Sequence, residues 1–181
     1  MWHSSPDDPS PSVFVSKDGA RFEGAFTDGA LRHGATVKFR NGDLYTGQLR
    51  GLARSGVGTC VYAAGGATYE GMWASDMRHG EGEQRARSGD SYKGQWANDA
   101  PHGSGKCQRS NGTLEEGSFE RGQLHGNGER RDSMGSVWRG WFVEGSLQVL
   151  QFSCDGGVWV GDVARFRHLY RSLRGRSHNG C

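Results

Sequence analysis

The chain has 181 residues, of which 31 are glycine and only 34% are hydrophobic, too few to fill the interior of a thick two-sheet sandwich. The net charge is +2, but residues 1–163 carry 17 basic and 20 acidic residues while residues 164–181 carry five arginines and no acid, which excludes a nucleic-acid surface on the body. No apolar run reaches the roughly 18 residues of a membrane span, and the acidic start has no secretory or transit character, so we expect an intracellular protein.

In chain order, an extended tail rich in Pro, Ser and Asp (residues 1–12) is followed by a repeat that fills residues 13–163. A glycine in an aromatic-x-Gly triplet returns at intervals of 21 to 24 residues, with Glu115 in the aromatic place of the fifth unit, and a second glycine precedes each by five residues. Such regularity predicts one supersecondary unit repeated in tandem. The aligned glycines are Gly24, Gly47, Gly71, Gly94, Gly117, Gly140 and Gly161.

Each unit begins with a turn signal. Dipeptides such as Asp18-Gly19, Asn41-Gly42 and Asn111-Gly112 stand between strand-like runs. They are typical of a two-residue hairpin in a type I′ turn, in which both central residues need a positive φ. We therefore predict type I′ turns at these dipeptides.

Aromatic residues alternate with glycine after each turn, as in Tyr69-Glu70-Gly71-Met72-Trp73. Residues at i, i+2 and i+4 of a strand share one face, so a ring from an adjacent strand can lie across the gap that the glycine leaves. The second half of the unit reads His79-Gly80-Glu81-Gly82, which we interpret as the return loop to the next strand.

The pattern Tyr-x-Gly-x-Trp followed by His-Gly-x-Gly, with an Asn/Asp-Gly turn and a period of about 23 residues, resembles the MORN repeat. Tyr69 to Gly82 and Tyr92 to Gly105 match it almost fully, whereas Ser55 replaces the histidine of the second unit. The units after Gly140 are degenerate, as terminal units of repeat arrays are. The resemblance implies an all-β, single-layer, twisted antiparallel meander of tandem hairpins, and seven turns predict about 14 strands.

Residues 164–174 differ from the repeats. Phe166, Leu169, Tyr170 and Leu173 stand at helical spacing, which predicts a short basic amphipathic helix before a tail at 175–181. Three roles remain open for this helix: a cap over the last hairpin, a docking helix for another protein, or a contact to acidic lipid through Arg165, Arg167, Arg171 and Arg174.

Candidate binding residues are aromatic. Two roles are open for them: lining a groove that binds a partner protein, or packing the sheet face itself. With the apolar residues of the helix, they form the predicted partner-binding set: Tyr45, Tyr69, Trp73, Tyr92, Trp96, Phe119, Phe166, Leu169, Tyr170 and Leu173.

Enzymatic and metal chemistry find no support in the sequence. The histidines, such as His79 and His102, hold one register in successive units and would lie about 10 Å apart, too far to share a metal ion. Cys60, Cys107 and Cys154 are spaced by two repeats, so we expect no disulfide between them. No nucleophile elbow, zinc-protease motif or P-loop is present, and we expect no catalytic residues, cofactor, metal or small-molecule substrate.

We therefore predict a non-catalytic scaffold or adaptor whose partners are other proteins of a larger intracellular assembly. The resemblance favours cytoskeletal structures, with the cilium or flagellum axoneme and its radial spokes as the specific expectation. Self-association through exposed sheet edges is possible on physical grounds. The alternative is a peripheral membrane tether that binds acidic phospholipid through the sheet or the arginine-rich helix.

Overall fold

A computed structural model describes residues 12–24, 26–27, 30–31, 34–154 and 157–162. All regular structure in these ranges is β-strand, and no helix within them is long and apolar enough to cross a membrane. The predicted helix at 164–174, the tail at 175–181 and nearly all of the N-terminal tail lie outside the described residues.

The chain divides into two compact units, residues 1–101 and 102–181. In the first unit, eight strands pair antiparallel in chain order, and a separate two-stranded hairpin of β3 and β4 stands between β2 and β5 in the sequence. The strands are β1 (Ser12–Val15), β2 (Arg21–Gly24), β3 (Phe26–Thr27), β4 (Ala30–Leu31), β5 (Ala35–Lys38), β6 (Leu44–Arg50), β7 (Ala53–Val61), β8 (Thr68–Ala74), β9 (Met77–Arg85) and β10 (Ser91–Ala97).

Within its described residues, the second unit has six strands that also pair antiparallel in chain order. The first of them begins at the boundary between the units. These strands are β11 (Ala100–Gln108), β12 (Leu114–Glu120), β13 (Gln123–Arg131), β14 (Val137–Val143), β15 (Ser146–Cys154) and β16 (Gly157–Asp162). The fourteen strands of the two meanders confirm the predicted all-β antiparallel class.

The prediction of type I′ turns at the Asn/Asp-Gly dipeptides was wrong. At Asn41-Gly42 only the glycine has a positive φ, of 91°. The Gly42 N–H donates to the Phe39 carbonyl, and the Phe39 N–H donates to the Asp43 carbonyl. This is the three-residue loop in which a type I turn ends in a left-handed glycine. The glycine is required here, and the residue before it is not restricted to a positive φ.

Type I′ geometry occurs at the opposite ends of the strands. Ser75 and Asp76 both have positive φ, of 48° and 67°, and close the two-residue turn between β8 and β9. Asn98 and Asp99 do the same after β10. These polar residues tolerate the left-handed conformation better than branched or bulky ones.

The His-Gly-x-Gly segments lie within strands, and their assignment as return loops was also wrong. His79 to Gly82 belong to β9, because the short turn at 75–76 leaves them opposite β8. Gly82 pairs with Gly71 and Arg78 pairs with Trp73, so the register shifts by two residues between Gly71 and Trp73. The first glycine of the segment, Gly80, has a φ of 62°, so the segment contains a β-bulge.

Candidate functional site

A ladder of five aromatic rings runs through the first unit on one face of the sheet. The rings follow the order Tyr45, Trp73, Tyr69, Trp96 and Tyr92. Neighbouring ring centroids lie 5.0 to 5.6 Å apart with interplanar angles of 83° to 87°. Edge-to-face contacts of this kind add about 0.5–1.5 kcal/mol each beyond the burial of area.

Paired glycines create the space that each tyrosine ring fills. Tyr69 lies across Gly71 and Gly82, and a Cβ placed on Gly82 would come within 2.6 Å of the ring carbon Cζ. The Tyr69 hydroxyl donates to the Met72 carbonyl at 2.9 Å, and the Trp96 indole donates to the Gly82 carbonyl at 3.1 Å. The expectation that rings cover the glycines of adjacent strands is confirmed, and every polar atom of these rings has a partner.

Two arginines cover the ladder from the solvent side. The guanidinium carbon of Arg54 lies 4.1 Å from the Trp73 ring centroid, and that of Arg78 lies 4.4 Å from the Trp96 centroid. Each arginine is held by the aspartate of the next turn: the Arg54 backbone N–H and Nε donate to Asp76 Oδ1 at 2.9 and 3.2 Å. A cation over an aromatic face is attracted by the ring quadrupole, so these arginines are structural parts of the ladder.

Burial changes the acid–base behaviour of two ladder tyrosines and of Tyr62, which is not part of the ladder. It raises the pKa of Tyr45, Tyr62 and Tyr69 from 10.0 to about 12, although the nearby arginines oppose this effect. Because the folded pKa lies above the ordinary value, the stability that these phenols contribute is complete below pH 10 and is lost as the pH rises through 12.

We therefore expect the free energy of unfolding to fall between about pH 10 and 12, with tyrosinate absorbance following it. Urea titrations at a series of pH values would measure this slope. Tyr69→Phe should make the slope shallower, because one of the buried phenols is removed. Tyrosines that all ionise near pH 10 in the folded protein would contradict the prediction.

The six predicted binding residues of the repeats lie in the core. Tyr45, Tyr69, Trp73, Tyr92, Trp96 and Phe119 are each only 0–6% exposed. Their contacts give them the packing role that the sequence left open, and their role in partner binding stays a prediction. The other predicted residues, in the segment 164–174, lie outside the described part of the chain.

The second unit builds the equivalent site from different residues. Glu115 occupies the place of Tyr69 and pairs across the strands with Arg130, just as Tyr69 pairs with Gln84. Its side chain is buried, and its Oε1 accepts from Arg130 Nε and Nη2 at 2.9 and 2.6 Å. Arg109 Nη2 lies 3.5 Å from Glu115 Oε2. An ion pair has therefore replaced a tyrosine in this core.

A leucine completes this altered site. Leu124 stands at the register of Arg78, opposite Phe119, and is 1% exposed. It fills the space above Gly128, since a Cβ on Gly128 would lie 2.9 Å from Leu124 Cδ1. The Arg130 guanidinium lies 5.3 Å from the Phe142 ring centroid. The second unit thus moves the arginine to another strand position and puts an aliphatic side chain where the tyrosine ring would be.

The opposite face of the first unit carries exposed apolar side chains that the sequence analysis missed. Val57 on β7 lies directly opposite Met72 on β8, and they are 59% and 45% exposed. Leu44 and Val61 form a second facing pair, each 41% exposed. We call these four residues the outer patch. The signal was present in the position directly after the glycine of the aromatic-x-Gly-x-aromatic motif, where Met72 replaces the glutamine found at Gln48 and Gln95.

Within the described residues, no three His, Cys, Asp or Glu side chains are grouped so that they could hold a metal ion. Cys60 and Cys107 are buried thiols, and burial raises the pKa of the Cys60 thiol. His125 lies 3.6 Å from Glu120 on the surface. These side chains are used in packing and surface pairing.

The family model described as MORN repeat matches residues 45–67, 69–91, 92–114 and 116–137, about half of the chain. No curated protein gives a significant match. A solved structure similar to this chain is the SAS-4 (dCPAP) TCP domain of Drosophila melanogaster, in complex with a proline-rich motif of Ana2 (dSTIL). The identity is 11%, the alignment covers 89% of this chain and 95% of that chain, and the TM-score is 0.46.

Proposed function

This chain belongs to the MORN-repeat family, and from this we propose that it is a non-catalytic scaffold that binds other proteins within a larger assembly. Repeats of this family suggest a structural or binding role. The internal evidence agrees: the aromatic, arginine and aspartate side chains of the first unit are used in holding one hairpin to the next. The outer surface of the sheet therefore remains available to bind a partner.

The observation that carries this proposal is the outer patch. An interface gains affinity from a small apolar centre that loses water inside a polar rim. Val57 and Met72 would supply such a centre, and the exposed carboxylates of Glu70 and Glu81 lie on the same face of β8 and β9. Packing within the fold does not require these apolar side chains, because polar residues occupy the same registers elsewhere: Gln48 and Gln95 for Met72, and Ser104 for Val57.

We place the assembly in the cytoskeleton, and within it in the ciliary or flagellar axoneme, in a position like that of radial-spoke proteins. Support for this step comes from the kind of protein that the chain resembles, a small chain built of these repeats. The alternative, a peripheral tether on acidic phospholipid, is favoured by the arginines between residues 165 and 176.

The test compares a tagged wild type with the double variant Met72→Gln and Val57→Ser in detergent-extracted ciliated cells. Wild type is expected to stay with the insoluble cytoskeleton. Loss of an apolar interface centre of this kind costs about 1–2 kcal/mol of binding free energy. The affinity of the variant for the insoluble cytoskeleton should therefore fall about tenfold, and less of the variant should be retained. Gln95→Ser, at the same register, is the matched control and should be retained like wild type.

Each outcome separates the hypotheses. Wild type in the detergent-soluble membrane fraction would replace the scaffold with the lipid tether, and charge reversal at Arg165, Arg167 and Arg171 should then abolish liposome binding. Equal retention of wild type and the double variant would keep the scaffold but assign binding to another surface. Thermal unfolding of the purified variants checks that the fold is unchanged.

A further inference from the structure

The second unit has an exposed tryptophan that its own sheet does not cover. Trp141 lies on β14 and is 46% exposed, whereas its neighbour Phe142, on the opposite face, is fully buried. One edge of the Trp141 ring lies near Gly126, where an added Cβ would be 3.9 Å from the ring carbon Cη2. Half of a large apolar ring therefore remains in water.

The repeat does not require a tryptophan at this position. The same register holds Gln48, Gln95 and Ser118 in other units, and strands form there with these polar side chains. Burying a tryptophan ring stabilises a contact several times more than burying one of these polar side chains would, so Trp141 is a candidate contact residue.

The row of residues that contains Trp141 leads directly to the end of the described chain. Trp141 faces Val149 on β15, and Val149 faces Asp162 on β16. Residues directly opposite in antiparallel strands share a face, so the three define one row about 10 Å long. Asp162 is the last residue of β16.

The sequence that follows Asp162 has the composition and length to cover this row. Phe166, Leu169, Tyr170 and Leu173 recur at the spacing of one helix face. At 1.5 Å per residue that face would extend about 10 Å from Phe166 to Leu173, which matches the two strand spacings between Asp162 and Trp141. Only three residues connect Asp162 to Phe166.

We propose that residues 163–174 pack on the Trp141–Val149 row of their own chain. A tether this short holds the segment near the row at an effective concentration far above that of any second copy. On the opposite face, Leu124 and Phe142 are already buried within the unit. The proposal goes beyond the scaffold function, because it assigns the basic segment to an intramolecular contact.

Indole N–H signals in NMR spectra of the full chain test the proposal. Trp141→Phe identifies the signal of Trp141, and a soluble paramagnetic probe reports its accessibility. In the variant with serine at Phe166, Leu169, Tyr170 and Leu173, we expect probe broadening of Trp141 to rise several-fold. The indoles of Trp73 and Trp96, which are bonded to Gly58 and Gly82, serve as internal references that should not change.

A control variant carries serine at Arg165, Arg167, Arg171 and Arg174 and should leave Trp141 protected. Equal accessibility of Trp141 in wild type and the apolar-face variant would overturn the proposal. Protection that disappears on dilution would assign the contact to a second copy and would overturn it as well.

Hydrogen exchange gives an independent readout. In wild type, the amides of residues 166–173 should be protected, and Trp141→Gln should remove that protection while the sheet amides stay unchanged. Glutamine is compatible with the fold, because Gln48 and Gln95 already stand at this register. Unprotected exchange of the segment in wild type would overturn the proposal even if every variant misfolded.

Discussion

Replacing Gly71 with alanine is expected to lower the free energy of unfolding by about 3 kcal/mol or more. The new Cβ would lie 2.5 Å from the Cα of Gly82 and 2.6 Å from the carbonyl oxygen of Glu81. Both are backbone atoms, so β8 and β9 would have to separate. The Tyr69 ring cannot move aside either, because Trp73 and Trp96 contact it on two sides.

The matched control is Gly161→Ala. Gly161 is the aligned glycine of the last repeat, and no atom of the described part of the chain lies within 4 Å of the position that its Cβ would take. Its substitution should change stability by less than about 0.5 kcal/mol. Urea denaturation measures both variants, with the slope of the transition compared to wild type. A cost below about 1 kcal/mol for Gly71→Ala would contradict the close approach of the two strands.

The second large effect concerns the buried carboxylate of the second unit. Glu115→Ala should destabilise the protein by about 2 kcal/mol, because it removes a buried carboxylate and leaves the partly buried Arg130 guanidinium without its anionic partner. Arg109 loses an ion pair in the same change, but its exposure makes that loss small.

A combination of substitutions tests whether this core needs the charge of Glu115 or only a set of side chains that fit one another. Glu115→Tyr alone should be destabilising, because Leu124 occupies the space above Gly128 that the ring would need. Adding Leu124→Arg, Arg130→Gln and Gly145→Asp reproduces the first unit's Tyr69, Arg78, Gln84 and Asp99. The free energy of unfolding of this combined variant should lie within about 1 kcal/mol of the wild-type value. The costs of the single changes would then not add, as expected for residues in contact.

Denaturation of the single and combined variants measures the coupling. If the costs of the single changes simply add in the combined variant, the residues do not act as one set, and the comparison between the units is wrong. Leu124→Ile is a useful control, since it keeps the volume and the apolar character and should cost less than about 1.5 kcal/mol.

The sequence predicted the strand class and the core face well because periodicity carries that information. Glycines five residues apart repeat in every unit, and rings at i and i+4, such as Tyr69 and Trp73, repeat in several of them, so one strand arrangement buries these rings. The turn type was wrong because Asn-Gly fits two hairpin loops. The two loops differ in the φ of the residue before the glycine, and Asn41 does not have the positive φ that a type I′ turn needs.

The candidate site was harder to predict for a related reason. Aromatic residues on a single sheet suggest a binding groove, but Arg54 and Arg78 cover these rings and leave them inaccessible. Met72 and Trp141 are exposed because they lie on the face opposite the core, at motif positions where any residue is allowed. The sequence could have identified these sites, because Met72 and Trp141 replace the polar residue that other units have at this position. Glu115 also departs from the repeat, but at a core position.

The contact between Arg54 and Asp76 joins residues only 22 positions apart, and the pairing of strands within each unit likewise connects consecutive hairpins. All-β domains usually fold slowly because distant parts of the chain must meet before any contact stabilises them. Here each hairpin can form locally and add to its neighbour, as expected for a repeat array. We therefore expect this chain to fold faster than most all-β domains of its size, as proteins with mainly local contacts do.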